Sequence, residues 1–545
     1  INDNINIGTA KLVKDGAGTL TLGAANNYTG NTEIDAGTLA IGSSGGLSGA
    51  SVLYVGSGLN GSDAALSLAG TTTLANAIQV NTNNGTSGAR TIIKSDATSQ
   101  ALSGNLTNNL QTTVNVTSGG NLTLSGSVAG AGNLVKSGSG TMTLSSNNAI
   151  HSRDAALRVS TNGSLGRAIT LNAETGAAGA AAGNRTIEFA NTGGTATLSG
   201  DIVHEKAFTV NVANAGATGL LSGVLGSPGG GSIISVTGNG TLALNNAGNT
   251  TDARWSVGNG ATLAIGDSRN LGANPTGYYS DKVTLAGGTL RATNSFALNS
   301  NVGVQVTSSS TISVDSGLAM TNPAEMAGTG NLRKTGDGTL ILSAQNTNYS
   351  GKWTIDQGLL SISSANNLGT NPVNTVAGAD AITISNNGTL AVTATMGLGN
   401  RRLTLGAGGG NISVAAGATL TNTGLMSGSA SLTKLGAGNL LAGAISSTNV
   451  TVSEGLLTLS ASNRFQAFGG PSVTVANGAG LNLSGDESIK TLSITGGTLG
   501  GSGTLTVTGA FDATGSTAGI TGTGTLITQG TSNINLANIS NGNLA

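Results

Sequence analysis

Four lysines recur at matching positions, and they are the charged residues whose spacing most suggests a shared role. Each lies two residues after a leucine and opens a Lys-x-Gly-x-Gly segment; they are Lys14, Lys136, Lys334 and Lys434. With Val236 as a fifth member, the interval is about 100 to 120 residues. A lysine stem can cover the edge of a fold while its ammonium group stays in water. The pattern therefore predicts solvated lysines, with a ligand contact as the alternative.

Residues that could carry out catalysis are few. Residues 42–46 have the Gly-x-Ser-x-Gly spacing of a nucleophile elbow, but Gly and Ser are so common here that the match is expected by chance. His151 and His204 are the two histidines of the chain. Asp35 and Asp356 occupy matching positions before a Gly, where a carboxylate commonly bonds its own backbone in a turn. We expect no enzyme, no cofactor and no metal ion.

Two segments interrupt the repeats and are candidate binding loops, because loops often carry binding function. The insertion at 172–185 follows a basic stretch that includes His151, and this stretch suits an acidic surface glycan or simply forms a solvated face. The insertion at 273–281 carries two adjacent tyrosines. The candidate binding residues are Arg153, Arg158, Arg167, Tyr278 and Tyr279.

The sequence between these residues is typical of short strands. Runs such as 19–22 and 339–342 alternate small polar with apolar residues and then stop at Gly or Asn. The chain has 90 Gly and 5 Pro, so it turns often and rarely interrupts a hydrogen-bond ladder. No stretch carries the apolar stripe of an amphipathic helix over three turns.

Many short strands at regular spacing fit either a solenoid or a series of sandwiches. Aromatic residues make up only 2% of the chain, and a sandwich core would need more of them to fill its volume. We therefore expect an all-β solenoid. At the usual length of a solenoid repeat, the chain would form about 22 to 27 turns and a long rod.

The repeated motif also resembles a known family. Leu-x-Lys-x-Gly-x-Gly-Thr-Leu-x-Leu, followed by Asn-Asn-Tyr-Thr-Gly and Gly-Thr-Leu, resembles the passenger-associated strand repeat of bacterial type V autotransporters. Residues 11–42 and 331–363 match almost throughout, whereas 133–149, 238–266 and 431–459 match in part. The resemblance implies a right-handed parallel β-helix secreted to the bacterial cell surface or beyond. It implies no single activity, because members differ in what they bind.

We expect one continuous solenoid over residues 1–545, built from about five super-repeats. Their approximate bounds are 1–104, 105–229, 230–325, 326–428 and 429–545. A second element, Leu-Gly-x-x-Pro, opens 271–275 and 368–372, and 468–471 is a shorter version. If the turns stack in register, these loops should lie on a similar side once per period.

Composition limits the partners. The chain has no Cys, which suits passage through an oxidising compartment without misplaced disulfides. Charged residues are 8% and the net charge is −1, which argues against a nucleic-acid surface. No apolar run approaches the 18 or so residues of a membrane span, so we expect no membrane insertion of this segment. The start without Met leaves open a processed chain or a piece of a longer one.

Two functions follow from these observations. The slightly favoured one is a structural subunit that stacks head-to-tail on copies of itself to form extracellular filaments, because both ends look like uncapped strands. The alternative is a surface adhesin that binds a glycan or a host cell surface through its loops. The residues expected at the assembly ends are Ile1, Ile5, Ile7, Ile534, Leu536 and Ile539.

Overall fold

The structure is a computed structural model in two compact units, Ile1–Asn274 and Pro275–Ala545, which are described separately. The residues that it describes are 3–42, 47, 51–56, 62–80, 88–130, 132, 134–138, 140–144, 148–149, 156–159, 162–165, 169–171, 185–227, 231–370, 382–399 and 401–536.

Parallel strands build the first unit, and each strand pairs with the equivalent strand of a neighbouring turn. A six-stranded sheet has the order Leu12–Lys14, Thr32–Ile34, Leu53–Val55, Ile78–Val80, Leu106–Asn108 and Val128–Ala129. A second sheet contains Thr19–Leu22, Gly37–Ile41, Ala64–Leu68, Arg90–Lys94, Thr112–Val116, Leu134–Ser137, Ala156–Val159, Thr186–Phe189, Phe208–Val212, Ile233–Gly238 and Arg254–Gly258.

Three shorter stacks complete the strands of the first unit. The first is Ser99–Leu102, Asn121–Leu124 and Thr141–Leu144; the second is Asn148–Ala149, Ile169–Leu171, Ile202–His204 and Leu225–Gly226. The third is Gly163–Leu165, Gly194–Leu198, Ala217–Leu221, Thr241–Leu244 and Thr262–Ile265. A 3₁₀-helix, Ser268–Leu271, follows the last of these strands.

The second unit repeats this arrangement. Its twelve-stranded sheet has the order Phe296–Ala297, Ala319–Asn322, Thr339–Leu342, Leu359–Ile362, Gly388–Val392, Gly410–Val414, Leu432–Leu435, Asn449–Val452, Ser472–Val475, Thr491–Thr495, Phe511–Gly515 and Ser532–Leu536. The two smallest groups are Tyr279–Ala286, Val302–Val306, Met326–Gly328 and Asn348–Tyr349, and then Glu487–Ile489, Leu505–Val507 and Leu526–Thr528.

One further sheet of the second unit runs beside these. Its strands are Thr289–Ala292, Ser310–Val314, Leu332–Thr335, Trp353–Ile355, Ile382–Ile384, Met396–Gly397, Leu403–Leu405, Thr419–Ser427, Asn439–Ile445, Leu456–Leu459, Gly480–Leu483, Thr498–Gly501 and Gly519–Ile520. A second 3₁₀-helix, Ala365–Leu368, leaves the twelve-stranded sheet. No helix in the described ranges is long and apolar enough to cross a membrane.

The expected all-β fold is confirmed as a parallel β-solenoid of about 21 turns. This is just below the expected number because several turns carry long loops; Trp353, for example, pairs with Ile382 in the adjacent turn. The number of super-repeats, the right-handed winding and the continuity of the rod stay predictions.

Alternation along each strand places every second side chain inside the solenoid. The alternation in residues 19–22 and 339–342 predicts that Leu20, Leu22, Leu340 and Leu342 point inward. Leu22, Leu340 and Leu342 are buried, whereas Leu20 is only half-buried. Apolar residues stack on apolar residues from turn to turn, so that Leu340 pairs with Met320 on one side and with Leu360 on the other. These inward columns form the core.

The lysine motifs lie in different sheets within each unit, whereas the expected placement of the Leu-Gly-x-x-Pro loops on a similar side stays a prediction. In the first unit, Lys14 lies in the six-stranded sheet, whereas Lys136 lies in the sheet that contains Thr19–Leu22. In the second unit, Lys334 lies in the sheet that contains Trp353–Ile355, the strand with which its own strand pairs. Lys434 lies in the twelve-stranded sheet. A sequence period is therefore not a whole number of turns, so each copy is rotated to a neighbouring face.

Replacing Leu342 by Asp should open the solenoid locally. A buried unpaired carboxylate costs several kcal/mol, and about 3 kcal/mol or more is expected here. Because solenoid stability is a sum of neighbouring terms, limited proteolysis should cut near residue 342 and leave distant turns intact. Ile341→Asp, on the outer face of the same strand, is the matched control and should be mild. Uniform collapse of the whole chain would contradict this view.

Candidate functional site

The repeat lysines are buried, which corrects the expectation of solvated side chains. Lys334 and Lys434 are 0% exposed, and Lys14 and Lys136 are 6% and 4% exposed. Each lies in an inward column among apolar residues; Lys334 pairs with Ile312 and Ile355 in the turns before and after it. The alternation Leu-x-Lys already places the lysine on the same face as the buried leucine, and this was the signal that the sequence offered.

Each ammonium group is held by backbone carbonyl oxygens. Lys334 Nζ donates to Thr335 O at 2.8 Å, Gly336 O at 2.6 Å and Gln357 O at 3.2 Å. Lys14 has the same three acceptors, in Asp15, Gly16 and Ala36, at 2.9, 2.6 and 2.8 Å. The first two acceptors follow the lysine in sequence, and the third belongs to the next turn. The lysine therefore ties two turns together through a cage of carbonyl groups.

Two glycines make this cage sterically accessible. Gly336 has φ 70°, a conformation that disfavours a side chain, and it turns its carbonyl toward the lysine. Gly358, with φ 62°, lies in the next turn, where an added Cβ would be 2.4 Å from Gly336 O. The Lys-x-Gly segment and the later Gly-x-Leu segment of the repeat are thus two halves of one structural unit.

Burial lowers the pKa of three of these lysines. The pKa of Lys136, Lys334 and Lys434 falls to about 8 because desolvation penalises the charged form. The ammonium form still predominates at pH 7, and it alone can donate to three acceptors at once. These lysines therefore act as structural cations that are enclosed by their own backbone.

Asp356 also joins turns, which corrects its assignment as a local turn residue. Its carboxylate accepts from Ser385 Oγ at 2.7 Å and from Asn386 Nδ2 at 2.8 Å, and it pairs with Arg333. Burial raises the pKa of Asp356, but these hydrogen bonds and the guanidinium outweigh it, so the net shift is downward. The turn role of the Asp35 carboxylate stays a prediction. The backbone N–H of Asp35 donates to Lys14 O at 2.8 Å, and this contact does not involve the carboxylate.

The two tryptophans of the chain form a second recurring element that sequence reasoning missed. Trp255 Nε1 donates to Leu271 O at 3.0 Å, and Trp353 Nε1 donates to Leu368 O at 3.2 Å. Each acceptor ends a 3₁₀-helix with a capping box. The Leu-Gly element that was seen in the sequence is therefore the anchored base of a loop.

Buried asparagines fix the same helices. Asn249 accepts from Leu225 N and donates to Asn270 O, with distances of 2.8 and 2.7 Å. Asn346 accepts from Met326 N at 2.7 Å and donates to Asn367 O in the same way. The side-chain amide of asparagine can donate one hydrogen bond and accept another at the same time. It can therefore replace the backbone hydrogen-bond ladder where a strand is absent.

Tyr28 and Tyr349 are buried inside the solenoid, and both are 0% exposed. The Tyr349 hydroxyl donates to Gly330 O at 3.0 Å, and its ring meets Trp353 edge-on at 5.9 Å. Tyr28 shares a 2.6 Å hydrogen bond with Thr32.

The basic candidate residues are only partly described. Arg158 pairs across strands with Glu188, Nε to Oε2 at 3.3 Å, so its charge is compensated within the first unit. His204 is buried and shares a 2.8 Å hydrogen bond with Thr251, and burial lowers its pKa. Arg153, Arg167, His151, residues 43–46 and most of the 172–185 insertion lie outside the described residues.

The tyrosine loop is exposed and is held by hydrogen bonds at its base. Tyr278 and Tyr279 are 46% and 45% exposed. Tyr279 N donates to Asn301 O at 2.9 Å, and the Tyr278 hydroxyl donates to Glu325 O at 3.1 Å. Asn301 Nδ2 holds Pro275 O at 2.8 Å. The loop thus presents two aromatic side chains from a base with fixed hydrogen bonds.

The expected assembly ends are described in part. Ile5 is half-buried, and its N–H donates to Asn26 Oδ1 at 2.9 Å. Ile7 is 41% exposed and Ile534 is 40% exposed. Leu536 pairs through its backbone with Gly515. Ile1 and Ile539 lie outside the described ranges.

Comparison with protein families agrees with this geometry. The passenger-associated-transport-repeat model matches residues 12–41, 134–150 and 332–362. The chain carries passenger-associated transport repeats. These repeats and the β-solenoid together fit an autotransporter passenger domain, as the resemblance implied. Searches of curated proteins and of solved structures found no match.

The three matched transport repeats each contain a buried lysine, and the structure adds a further copy. Lys434 Nζ donates to Leu435 O, Gly436 O and Glu454 O at 2.8, 2.6 and 3.1 Å. The cage therefore extends to a segment that the family model does not match.

Replacing Lys334 by Met should destabilise the second unit by about 3 kcal/mol, because buried carbonyls that lose their donor cost about 1 to 3 kcal/mol each. A solvated lysine would have given almost no effect. The exposed Lys352→Met is the control. Urea unfolding measures the change in the free energy of unfolding, and hydrogen exchange should be faster near residues 332–358 in the Lys334→Met variant. Equal stability of the two variants would argue against the cage.

Proposed function

We propose that this passenger is a non-catalytic adhesin, in which the solenoid displays the loop of Tyr278 and Tyr279 to a ligand outside the cell. The observation that carries the proposal is the exposure of two adjacent aromatic side chains, 46% and 45%, on a loop that is held from several sides. Aromatic residues with one apolar face and a polar tip are favoured anchors at binding surfaces.

The rest of the chain supports a scaffold role. The contacts of Lys334, Asp356 and the buried asparagines connect one turn to the next, and the tryptophan contacts hold a loop within its own turn. Strong polar groups thus stabilise the stack, while the loop faces solvent. A rigid stack with an ordered loop lowers the entropic cost of binding.

Binding to a printed oligosaccharide array tests the adhesin function. The Tyr278→Ala/Tyr279→Ala double variant should lose binding at least about tenfold, a loss comparable to that of an interface anchor. Phe468→Ala is the matched control, because Phe468 is a fully exposed aromatic residue elsewhere in the second unit. Loss of binding in the control alone, or no tyrosine-dependent binding at all, would refute the proposal.

A second candidate function is head-to-tail assembly into filaments. The observation that favours it is the exposure of Ile534, 40%, on Ser532–Leu536, which pairs with Phe511–Gly515. Ile7 and Val13, 41% and 40% exposed, provide apolar surface that could meet it in another copy. Such a contact propagates without closing.

Sedimentation and negative-stain imaging of the purified chain test the assembly. Ile534→Lys should shorten or abolish filaments, whereas Ile233→Lys should not, because Ile233 is equally exposed but lies on a strand paired on both sides. A wild-type chain that stays monomeric at high concentration would rule the filament out.

A further inference from the structure

Tyr278 is part of a larger surface on the second unit. Its hydroxyl donates to the backbone oxygen of Glu325, two turns further along, so its ring spans the intervening turn that contains Asn301. Turns are about 4.8 Å apart, so the ring lies along the corner instead of pointing straight out. An aromatic ring that is half exposed and is fixed at its hydroxyl by a hydrogen bond is suited to stacking with a flat apolar face.

Glu325 lies at the end of this ring. Its Oε1 atom accepts from Asn348 Nδ2 at 2.8 Å, Thr347 Oγ1 at 3.2 Å and Asn348 N at 3.3 Å. In the described part of the chain no hydrogen bond is made to Oε2. The carboxylate is therefore oriented by the next turn through one oxygen, while its second oxygen keeps acceptor capacity.

The carboxylate of Glu325 places a negative charge near Tyr278. Burial and the charge of Glu325 both raise the pKa of Tyr278, which is consistent with a carboxylate close to its ring. A ligand at this corner therefore meets the Glu325 carboxylate and phenol groups, and an anionic ligand would be repelled.

We propose that Tyr278, Tyr279 and Glu325 form one recognition site for neutral saccharides, and that Glu325 is the residue that excludes acidic ones. The sugar ring stacks on tyrosine, and a sugar hydroxyl donates to Glu325 Oε2. A carboxylate or sulfate on the same sugar would face Glu325, and unfavourable contacts of this kind are a common source of specificity. This inference rests on the adhesin function proposed above.

The test compares binding of N-acetyllactosamine with its sialylated and sulfated forms on one array. The wild-type chain should bind the neutral form at least about tenfold more tightly than either acidic form. Glu325→Gln keeps the Oε1 acceptor and the shape but removes the charge, so it should reduce this preference at least about fivefold. Glu454→Gln is the control, because Glu454 is also a carboxylate that accepts a backbone N–H, from Gly436.

The outcomes separate this inference from the adhesin function. The role of Glu325 is refuted if tyrosine-dependent binding is present but the wild type prefers the acidic saccharides. It is also refuted if neither Glu325→Gln nor Glu454→Gln changes the preference for the neutral form. In both cases the adhesin function stands. If no saccharide binds in a tyrosine-dependent way, both are refuted. Circular dichroism of each variant verifies that the fold is kept.

Discussion

The ammonium group enclosed by backbone carbonyls is the interaction on which the rest of the repeat depends. A turn between two strands leaves carbonyl groups directed inward, where water cannot reach them. Lys334 satisfies two such carbonyls in its own turn and one in the next turn. A positive charge in the core is tolerated only because it is fully hydrogen-bonded. The lysine therefore determines both how the chain turns and how the next turn sits on it.

The same interaction explains why the repeat needs two glycines at a distance. Any side chain at Gly358 would collide with the carbonyl of Gly336, and Gly37 and Gly455 have equally close carbonyls at 2.4 Å. Gly317 also has a positive φ, 75°, but an added Cβ there meets nothing within 4 Å. Backbone conformation alone would thus explain a glycine at 317, whereas close packing between turns is also required at 358.

The sequence predicted the elements and the stack, because alternation and turn residues are local properties. It could also have predicted that Lys14 points inward, since Leu12 and Lys14 share a face. It could not predict the contacts of Trp255 with Leu271 or of Tyr278 with Glu325, because these depend on how many residues each turn contains. The rotation of successive copies to different faces has the same cause: loop lengths add up along the chain, and no local pattern records the sum.

The contacts that stabilise the stack can be distinguished from the exposed side chains at its surface. Each lysine cage and the ion pair of Asp356 with Arg333 act between adjacent turns, so their effects are confined to neighbouring turns. Tyr278 is part of this framework, because its side-chain hydroxyl donates to Glu325 O, whereas Tyr279 donates to Asn301 O through its backbone N–H. The exposed Tyr279 side chain can therefore change in chemistry without breaking that hydrogen bond. The side chains that hold adjacent turns together, such as Lys334 and Asp356, are thus distinct from exposed side chains such as Tyr279, and the two sets can change independently.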